Sequence, residues 1–291
     1  MKKNKKTIDT LVQDIYQAIS PLTENKQIKV NDEDIDKFGK AMASALKHWA
    51  TPQPRDTSTL RMSNIGKPSR QLWYDLNAEQ APQQLASSTL IKFLYGHLLE
   101  ELVLFFVKIA GHEVTSEQKT VEVEGIKGHM DCVIDGEVVD IKTTSGFAFK
   151  KFKEGTLTND DPFGYISQLA GYEHSEGTSN GGFLALNKET GELALFKPDE
   201  FDKPNIVSSI KNVKKTIKKK TPPAFCYSPV PEGKGGNFKL ARGCTYCRHK
   251  VECHKESNNG KGLRAFKYAK GITYLTTVKS VPKVEEIKLA R

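Results

Sequence analysis

Residues 128–142 read Gly-His-Met-Asp-Cys-Val-Ile-Asp-Gly-Glu-Val-Val-Asp-Ile-Lys, and this stretch decides the fold. Two runs rich in β-branched residues flank Asp135-Gly136, a dipeptide that favours a two-residue hairpin turn. Such a turn fixes the pairing register and places Asp131 opposite Asp140. The sequence therefore predicts a β-hairpin that brings two carboxylates face to face.

The two faces of this hairpin differ in chemistry, because side chains alternate along a strand. One face carries His129, Asp131, Val133, Val138, Asp140 and Lys142. The opposite face carries Met130, Cys132, Ile134, Val139 and Ile141, and is the predicted core side. Like charges directly opposed destabilise a sheet, so the acidic face needs a counter-ion. A hard cation such as Mg²⁺ fits that need, and we expect this face to line a cleft. Hydrated charges on a solvent-facing hairpin are the alternative interpretation.

The hairpin also resembles a known family. Asp131 followed by Asp140-Ile141-Lys142 resembles the PD-(D/E)XK nuclease signature, with Met130 where the name of the signature has proline. The local sequence is similar to the RecB-like branch, which includes lambda-type exonucleases and CRISPR-adaptation nucleases. The resemblance implies an α/β fold with a restriction-endonuclease-like core, in which helices flank a mixed central sheet. It also implies Mg²⁺ or Mn²⁺ at the catalytic site.

A second acidic motif precedes the hairpin. Glu100 lies on a predicted helix from Ser88 to Ala110, in a stripe of mostly apolar side chains. An inward-pointing glutamate is costly unless it is paired or binds a metal. The spacing Gly96-x-x-x-Glu100 resembles the first motif of the family. A buried carboxylate satisfied by hydrogen bonds is the alternative.

The candidate DNA contacts lie on both sides of the hairpin and within it. Gln168-x-x-x-Tyr172, on a helix predicted to begin with Asp161 as its N-cap, resembles a RecB-like motif associated with DNA binding. An ordinary amphipathic helix explains the same spacing. Arg70 and His129 are further candidates for phosphate contact, and a structural role is the alternative for each.

Taken together, the resemblance implies metal-dependent phosphodiester hydrolysis. The residues that would hold one or two Mg²⁺ ions are Glu100, Asp131, Asp140 and, through its carbonyl, Ile141. Lys142 would orient the attacking water and stabilise the pentavalent transition state.

A cysteine cluster follows the nuclease-like region. Its members are Cys226, Cys244, Cys247 and Cys253. Soft ligands at this spacing, with a Cys-x-x-Cys among them, predict a metal site, and His249 and His254 are spare ligands. A set of free thiols is the weaker alternative. Spacing alone fits Zn²⁺ and a [4Fe–4S] cluster equally. In the resembled relatives one cysteine precedes the core, whereas here Lys67 and Ser69 stand in that region.

Composition limits the classes of partner. The chain has 291 residues, a formal net charge of +9 and a pI of about 9.1, which suits a polyanion such as DNA. No long apolar run predicts a membrane span, and the N-terminal residues do not resemble a secretory signal, so we expect a cytoplasmic protein. The predicted regions are a helical appendage (1–55), a nuclease core (56–222), a cysteine-rich metal-binding subdomain (223–256) and an extension (257–291).

The expected function is a DNA exonuclease of replication or recombination, since the resembled relatives mostly degrade DNA from its ends. The compact build favours a phage origin, and replication or recombination proteins are the expected partners besides DNA. Two alternatives belong to other classes: a CRISPR-adaptation-type nuclease working in a multiprotein complex, and a non-catalytic DNA-binding protein.

Overall fold

The structure is a computed structural model that describes residues 6–51, 59–78 and 85–289. The chain divides into two units. The first comprises residues 1–66 and 80–212, and the second comprises residues 67–79 and 213–291. In the described ranges, no helix combines the length and the apolar character that crossing a membrane requires.

The elements alternate between helix and strand along much of the chain. The helices are α1 (Leu11–Ile19), α2 (Asp32–Ala50), α3 (Ser69–Asn77), α4 (Ser87–Ile109), α5 (Gly146–Lys153), α6 (Tyr165–Glu176), α7 (Ile206–Ile217), α8 (Arg242–Thr245), α9 (Lys250–Cys253) and α10 (Ser257–Gly260). The strands are β1 (Val114–Thr115), β2 (Lys119–Val123), β3 (Ile126–Met130), β4 (Cys132–Ile134), β5 (Glu137–Thr144), β6 (Gly182–Asn187), β7 (Leu193–Phe196), β8 (Val230–Glu232), β9 (Asn237–Lys239), β10 (Arg264–Tyr268), β11 (Gly271–Thr277) and β12 (Glu286–Ile287).

The first unit is built on a five-stranded sheet with the order β1-β4-β5-β6-β7. β5 and β6 pair in parallel, and the other neighbours pair antiparallel, so the sheet is mixed. The prediction of a mixed α/β fold with helices flanking a mixed central sheet is confirmed. β2 and β3 form a separate two-stranded hairpin, which lies between β1 and β4 in the sequence.

The predicted turn and its register are confirmed. β4 and β5 pair with Ile134 opposite Glu137, and both turn residues, Asp135 and Gly136, have positive φ as a type I′ turn requires. The Asp135 carboxylate lies 2.5 Å from Nδ1 of the buried His112, which anchors the turn.

The predicted core face is also confirmed. Residues from the N-terminal segment, α4 and the hairpin pack in one cluster that includes Ile8, Leu11, Ile15, Val103, Leu104, Val107, Cys132, Ile134, Val139 and Ile141. The segment around α1 thus belongs to the core of the first unit, a role that the sequence analysis did not predict for it.

The opposite face of the hairpin is partly enclosed as well, although Asp131 and Lys142 stay half-buried and His129 is exposed. Val138 and Asp140 are 0% and 1% exposed. Phe183 pairs with Asp140 across β5 and β6, and it stacks with Phe196 and meets Phe152 of α5 edge to face. Because helices cover both faces of this sheet, the strands read as nearly continuous apolar runs. An acidic residue in such a strand is therefore enclosed.

The second unit contains an antiparallel sheet with the order β12-β10-β11-β9-β8. Its apolar interior includes Leu240, Leu263, Ala265, Phe266 and Leu275. Within the predicted extension (257–291), the strands β10, β11 and β12 belong to this sheet. The short helices α8 and α9 carry Cys244 and Cys253, and none of the residues described in these two helices is buried.

Candidate functional site

The two hairpin aspartates are held differently. The strand is interrupted at Asp131: β3 pairs with β2, and only β4 pairs with β5. Asp131 Oδ2 accepts a hydrogen bond of 2.8 Å from the backbone N–H of Ile141, so its carboxylate turns towards β5. Asp140 lies within β5 and forms an ion pair with Lys142 two residues later on the same face. The break removes His129 from the predicted pairing with β5, and His129 instead pairs with Thr120 of β2.

Burial leaves the Asp140 carboxylate short of partners. Within the described residues, neither of its oxygens has a well-formed hydrogen bond, although the Lys142 ammonium group lies beside it. A buried carboxylate with spare acceptor capacity is costly in a protein. Such a group gains from any further cation that reaches it.

Glu100 on α4 joins this acidic group. Gln118 donates a hydrogen bond of 2.8 Å from its side-chain amide to Glu100 Oε1, and its backbone N–H donates to the carbonyl of Asp131. Burial raises the pKa of Glu100 to about 8, and the negative charges of Asp131 and Asp140 add to the effect. Gln118 thus connects the two motifs that lie on either side of it in the sequence.

The pKa values of Asp131 and Lys142 are raised as well. Burial, with the charge of Asp140 next in importance, raises the pKa of Asp131 to about 7. Burial alone would lower the pKa of Lys142, but the attraction of Asp140 and Asp131 outweighs it and holds this pKa above its ordinary value. If fully ionised, three carboxyl groups and one ammonium group would carry excess negative charge, and the raised pKa values of Glu100 and Asp131 mean that the site takes up protons instead.

This site could hold a hard divalent cation through oxygen donors of the predicted type, since Mg²⁺ keeps several waters and needs only one or two carboxylates. It is not a ready-made cage. In the residues that the structure describes, no three His, Cys, Asp or Glu side chains are arranged so that they could hold a metal ion. The carboxylates are instead engaged by Ile141, Gln118 and Lys142.

The predicted Gln168 and Tyr172 pair lies next to the hairpin. Tyr172 is 1% exposed, and its hydroxyl donates to the carbonyl of His129 at 2.7 Å and accepts from Gln168 Nε2 at 3.0 Å. A Cβ on Gly128 would meet the ring of Tyr172, which explains a glycine at that position. The pair therefore fixes the backbone two residues before Asp131, and the side chain of His129 is exposed.

The helix that carries this pair, α6, begins at Tyr165 and not directly after Asp161 as predicted. Asp161 still caps it from a distance: its carboxylate accepts from the backbone N–H groups of Gly164 and Ile166, both at 2.9 Å. Gly164 has a φ of +76°, a conformation that glycine adopts without strain, and this turn delays the start of the helix.

The cysteine cluster belongs to the second unit. Its four thiol side chains, those of Cys226, Cys244, Cys247 and Cys253, line one small cavity. Burial, followed by the proximity of the other three thiols, raises the pKa of Cys244 to about 12. Soft sulfur donors facing one cavity match Zn²⁺ or an iron–sulfur cluster in chemistry, but here too the described side chains form no ready metal-binding group.

Arg70 of α3, a candidate phosphate contact, lies in the second unit next to these thiols. Its Nε donates to Cys253 Sγ at 3.0 Å, and its other nitrogens donate to the carbonyls of Pro223 and Cys253. Its guanidinium also lies over the ring of Phe225, 4.4 Å from the centroid. All of these contacts hold Arg70 against the cysteine region. The spare ligands have partners too: His249 Nε2 lies 2.7 Å from Asp75, and His254 stacks on Phe225.

Comparison with known proteins gives little further information. No family model and no curated protein matches this chain. A solved structure described as that of SSO0001 is similar, with a TM-score of 0.41 and 18% sequence identity, over 74% of this chain and 93% of the other. A likeness at that level carries no argument about fold detail or activity.

Three contacts around these sites were missing from the sequence analysis. Gln118 was not noticed because a lone glutamine in a loop carries no periodic signal. Tyr165 lies three residues before Gln168 on α6, and its ring centroid is 5.0 Å from the ammonium group of Lys142. The bond from Arg70 to Cys253 joins residues 183 positions apart. No local spacing in the sequence predicts a contact over that separation.

Proposed function

We propose that this protein is a divalent-metal-dependent deoxyribonuclease of the PD-(D/E)XK type, and that it is an exonuclease of DNA replication or recombination. The observation that carries the proposal is the enclosed acidic group, in which Glu100 and Asp131 have raised pKa values beside the under-bonded carboxylate of Asp140. Buried carboxyl groups that take up protons because their charged forms are disfavoured can take up a divalent cation in place of those protons.

The residues that would hold Mg²⁺ or Mn²⁺ are Glu100, Asp131, Asp140 and the carbonyl of Ile141. A metal ion bound there would neutralise phosphate charge and make a water molecule more acidic. Asp131 is oriented for this role by the N–H of Ile141, and Glu100 by Gln118.

Lys142 would act as a cation and hydrogen-bond donor. Its raised pKa means that it stays protonated at neutral pH, so it cannot serve as the general base. Its ammonium group would move from Asp140 towards the phosphate oxygens as negative charge develops on them. The basic charge of the whole chain, +9, would favour encounter with DNA.

We further propose that the four cysteines bind Zn²⁺ or a [4Fe–4S] cluster. The shared cavity and the N–H to sulfur hydrogen bond from Arg70 support this, because hydrogen bonds to ligating sulfur favour the thiolate form. Metal analysis and visible absorption of the purified protein would distinguish the two.

The decisive experiment compares end-labelled linear DNA with closed circular DNA, with Mg²⁺ and with chelator. We expect Mg²⁺-dependent release of mononucleotides or short oligonucleotides from linear DNA alone. Asp140→Asn should lower the rate by on the order of 10³-fold, since a preorganised charge at the reacting centre is removed. The matched control is Asp9→Asn, which changes an exposed aspartate paired with Lys197 and should leave the rate unchanged. Full activity in Asp140→Asn would contradict the site.

One observation favours a non-catalytic DNA-binding protein as second candidate: the absence of a ready metal-binding group among the described side chains. DNA binding that is the same with Mg²⁺ and with chelator, and without cleavage, would establish that candidate. Cleavage that requires an integrase partner would instead indicate the CRISPR-adaptation type.

A further inference from the structure

A short aromatic stack leads away from the candidate active site. The Lys142 ammonium group lies 5.0 Å from the ring centroid of Tyr165. Tyr165 in turn stacks on Phe163, with ring centroids 5.4 Å apart and an angle of 24° between the rings. Phe163 is 58% exposed, whereas Tyr165 is half-buried. The stack therefore starts beside the charged residues of β5 and ends in solvent.

The loop that presents Phe163 is held firmly. The Asp161 carboxylate accepts two backbone hydrogen bonds from the residues that follow, at Gly164 and Ile166. Gly164 packs so tightly on the backbone of Gly66 that a Cβ on either residue would overlap the other. Phe163 therefore combines three features: a held loop, a large accessible ring surface, and a stack that reaches Lys142 through Tyr165.

We propose that Phe163 stacks against an unpaired nucleobase of the DNA strand whose phosphate lies at Asp131, Asp140 and Lys142. This inference rests on the proposed nuclease function and adds the class of substrate. Base stacking on an aromatic side chain is tolerant of sequence, because every base has a π-face. In duplex DNA both faces of an internal base are covered by its neighbours. The preferred substrate is therefore single-stranded DNA or a frayed end.

The test uses a short single strand that carries 2-aminopurine, whose fluorescence falls when it stacks on an aromatic ring. Ca²⁺ replaces Mg²⁺, since it takes the same oxygen ligands with less strict geometry, and a gel checks that the strand stays intact. We expect wild-type protein to quench the probe at one position of the strand. Phe163→Ala should abolish this quenching and weaken single-strand binding about five- to a hundredfold.

Two further variants make the result specific. Phe163→Trp should keep both quenching and affinity, because it retains an aromatic face. Phe201→Ala removes a fully exposed phenylalanine elsewhere in the first unit and should behave like wild type. Affinity for a blunt duplex with capped ends should change less than twofold in Phe163→Ala. All these positions are exposed, so circular dichroism should show unchanged folding.

Several outcomes would overturn the stacking proposal: no binding of the single strand by wild type, unchanged quenching in Phe163→Ala, or equal losses for single strand and duplex. Cleavage with Mg²⁺ is measured separately. Mg²⁺-dependent cleavage, together with quenching that is unchanged in Phe163→Ala, would refute the stacking proposal and support the nuclease proposal. Phe163-dependent quenching without any cleavage supports the stack and refutes a nuclease that acts without a partner.

Discussion

The carboxylate site of the first unit and the cysteine cluster of the second are positioned by different means. Asp131 and Asp140 sit next to fully buried residues of the hairpin, Cys132 and Val139, whose packing fixes them. Cys244 and Cys253 lie on two four-residue helices without a buried residue, Cys247 lies in the short segment between these helices, and Cys226 lies in the irregular segment before them. Apolar packing therefore builds the first site, whereas the second has the donors but little core of its own.

Because the two sites are positioned differently, a bound ligand would stabilise each of them in a different way. In the first, folding forces like charges together, and a bound cation would relieve a strain that packing has already imposed. In the second, a metal would supply order that packing does not. The first site should therefore survive without metal as a folded structure, and the second should not.

Metal removal should have the largest effect, and it tests the difference between the two units directly. If the cysteines bind Zn²⁺ as proposed, its removal should release the cysteine region, since structural Zn²⁺ contributes about 10–16 kcal/mol to the folding of small metal-binding modules. Hydrogen exchange after treatment with a strong chelator should show lost protection around residues 223–256 and retained protection in β5 and β6. Cys247→Ser should reproduce the loss, whereas Cys132→Ala, in the core of the first unit, should leave metal retention unchanged. Equal loss of protection in both units would contradict the comparison.

The next prediction concerns pH and the first site. Glu100 and Asp131 have raised pKa values in the folded protein, about 8 and about 7, so the folded state holds more protons than the unfolded state between these values and the ordinary carboxyl range. The free energy of unfolding should therefore fall as pH rises from about 5 to about 8, by about 1.4 kcal/mol for each unit of raised pKa.

Chemical denaturation in chelator, repeated at several pH values, measures that slope. Glu100→Gln should flatten it, because the variant has no proton to lose at this position. Saturating Mg²⁺ should also flatten it if the cation binds the deprotonated carboxylates. A stability that does not change with pH in chelator would show that these carboxyl groups are less enclosed than the structure indicates.

The same contrast explains how much the sequence could predict. The Asp135-Gly136 turn and the alternation of apolar residues were local signals, and they were sufficient for the register of β4 and β5 and for the core face of the hairpin. The interruption at Asp131 escaped prediction because β3 pairs with a different strand, a choice that alternation does not encode. The enclosure of Asp140 depends on how α5 folds back over the sheet and on the pairing of β5 with β6, and periodicity encodes neither.

In the cysteine region, local spacing predicts which residues could be ligands but not the contacts around them. Spacing identified the donors, but it could not predict that Arg70 would contact Cys253, because this bond depends on the tertiary fold. Its metal also stays a prediction, since both zinc and iron–sulfur clusters accept the same ligands. Local patterns thus predict elements and donor sets, and long-range packing decides their geometry.

A smaller effect is expected from a substitution at Tyr172, which tests whether packing positions the carboxylates of the first site. Tyr172→Phe removes the hydroxyl that donates to the carbonyl of His129, two residues before Asp131. Leaving that carbonyl unsatisfied should cost about 1–3 kcal/mol of stability. Because the same bond positions the backbone that leads into Asp131, we expect a lower rate of Mg²⁺-dependent cleavage at saturating DNA. Tyr16→Phe is the matched control, since its hydroxyl accepts a 2.7 Å hydrogen bond from the Leu193 backbone, away from the hairpin. Comparable losses of stability with a lower rate only in Tyr172→Phe would assign this tyrosine a positioning role, whereas equal rates in the two variants would make its contribution purely structural.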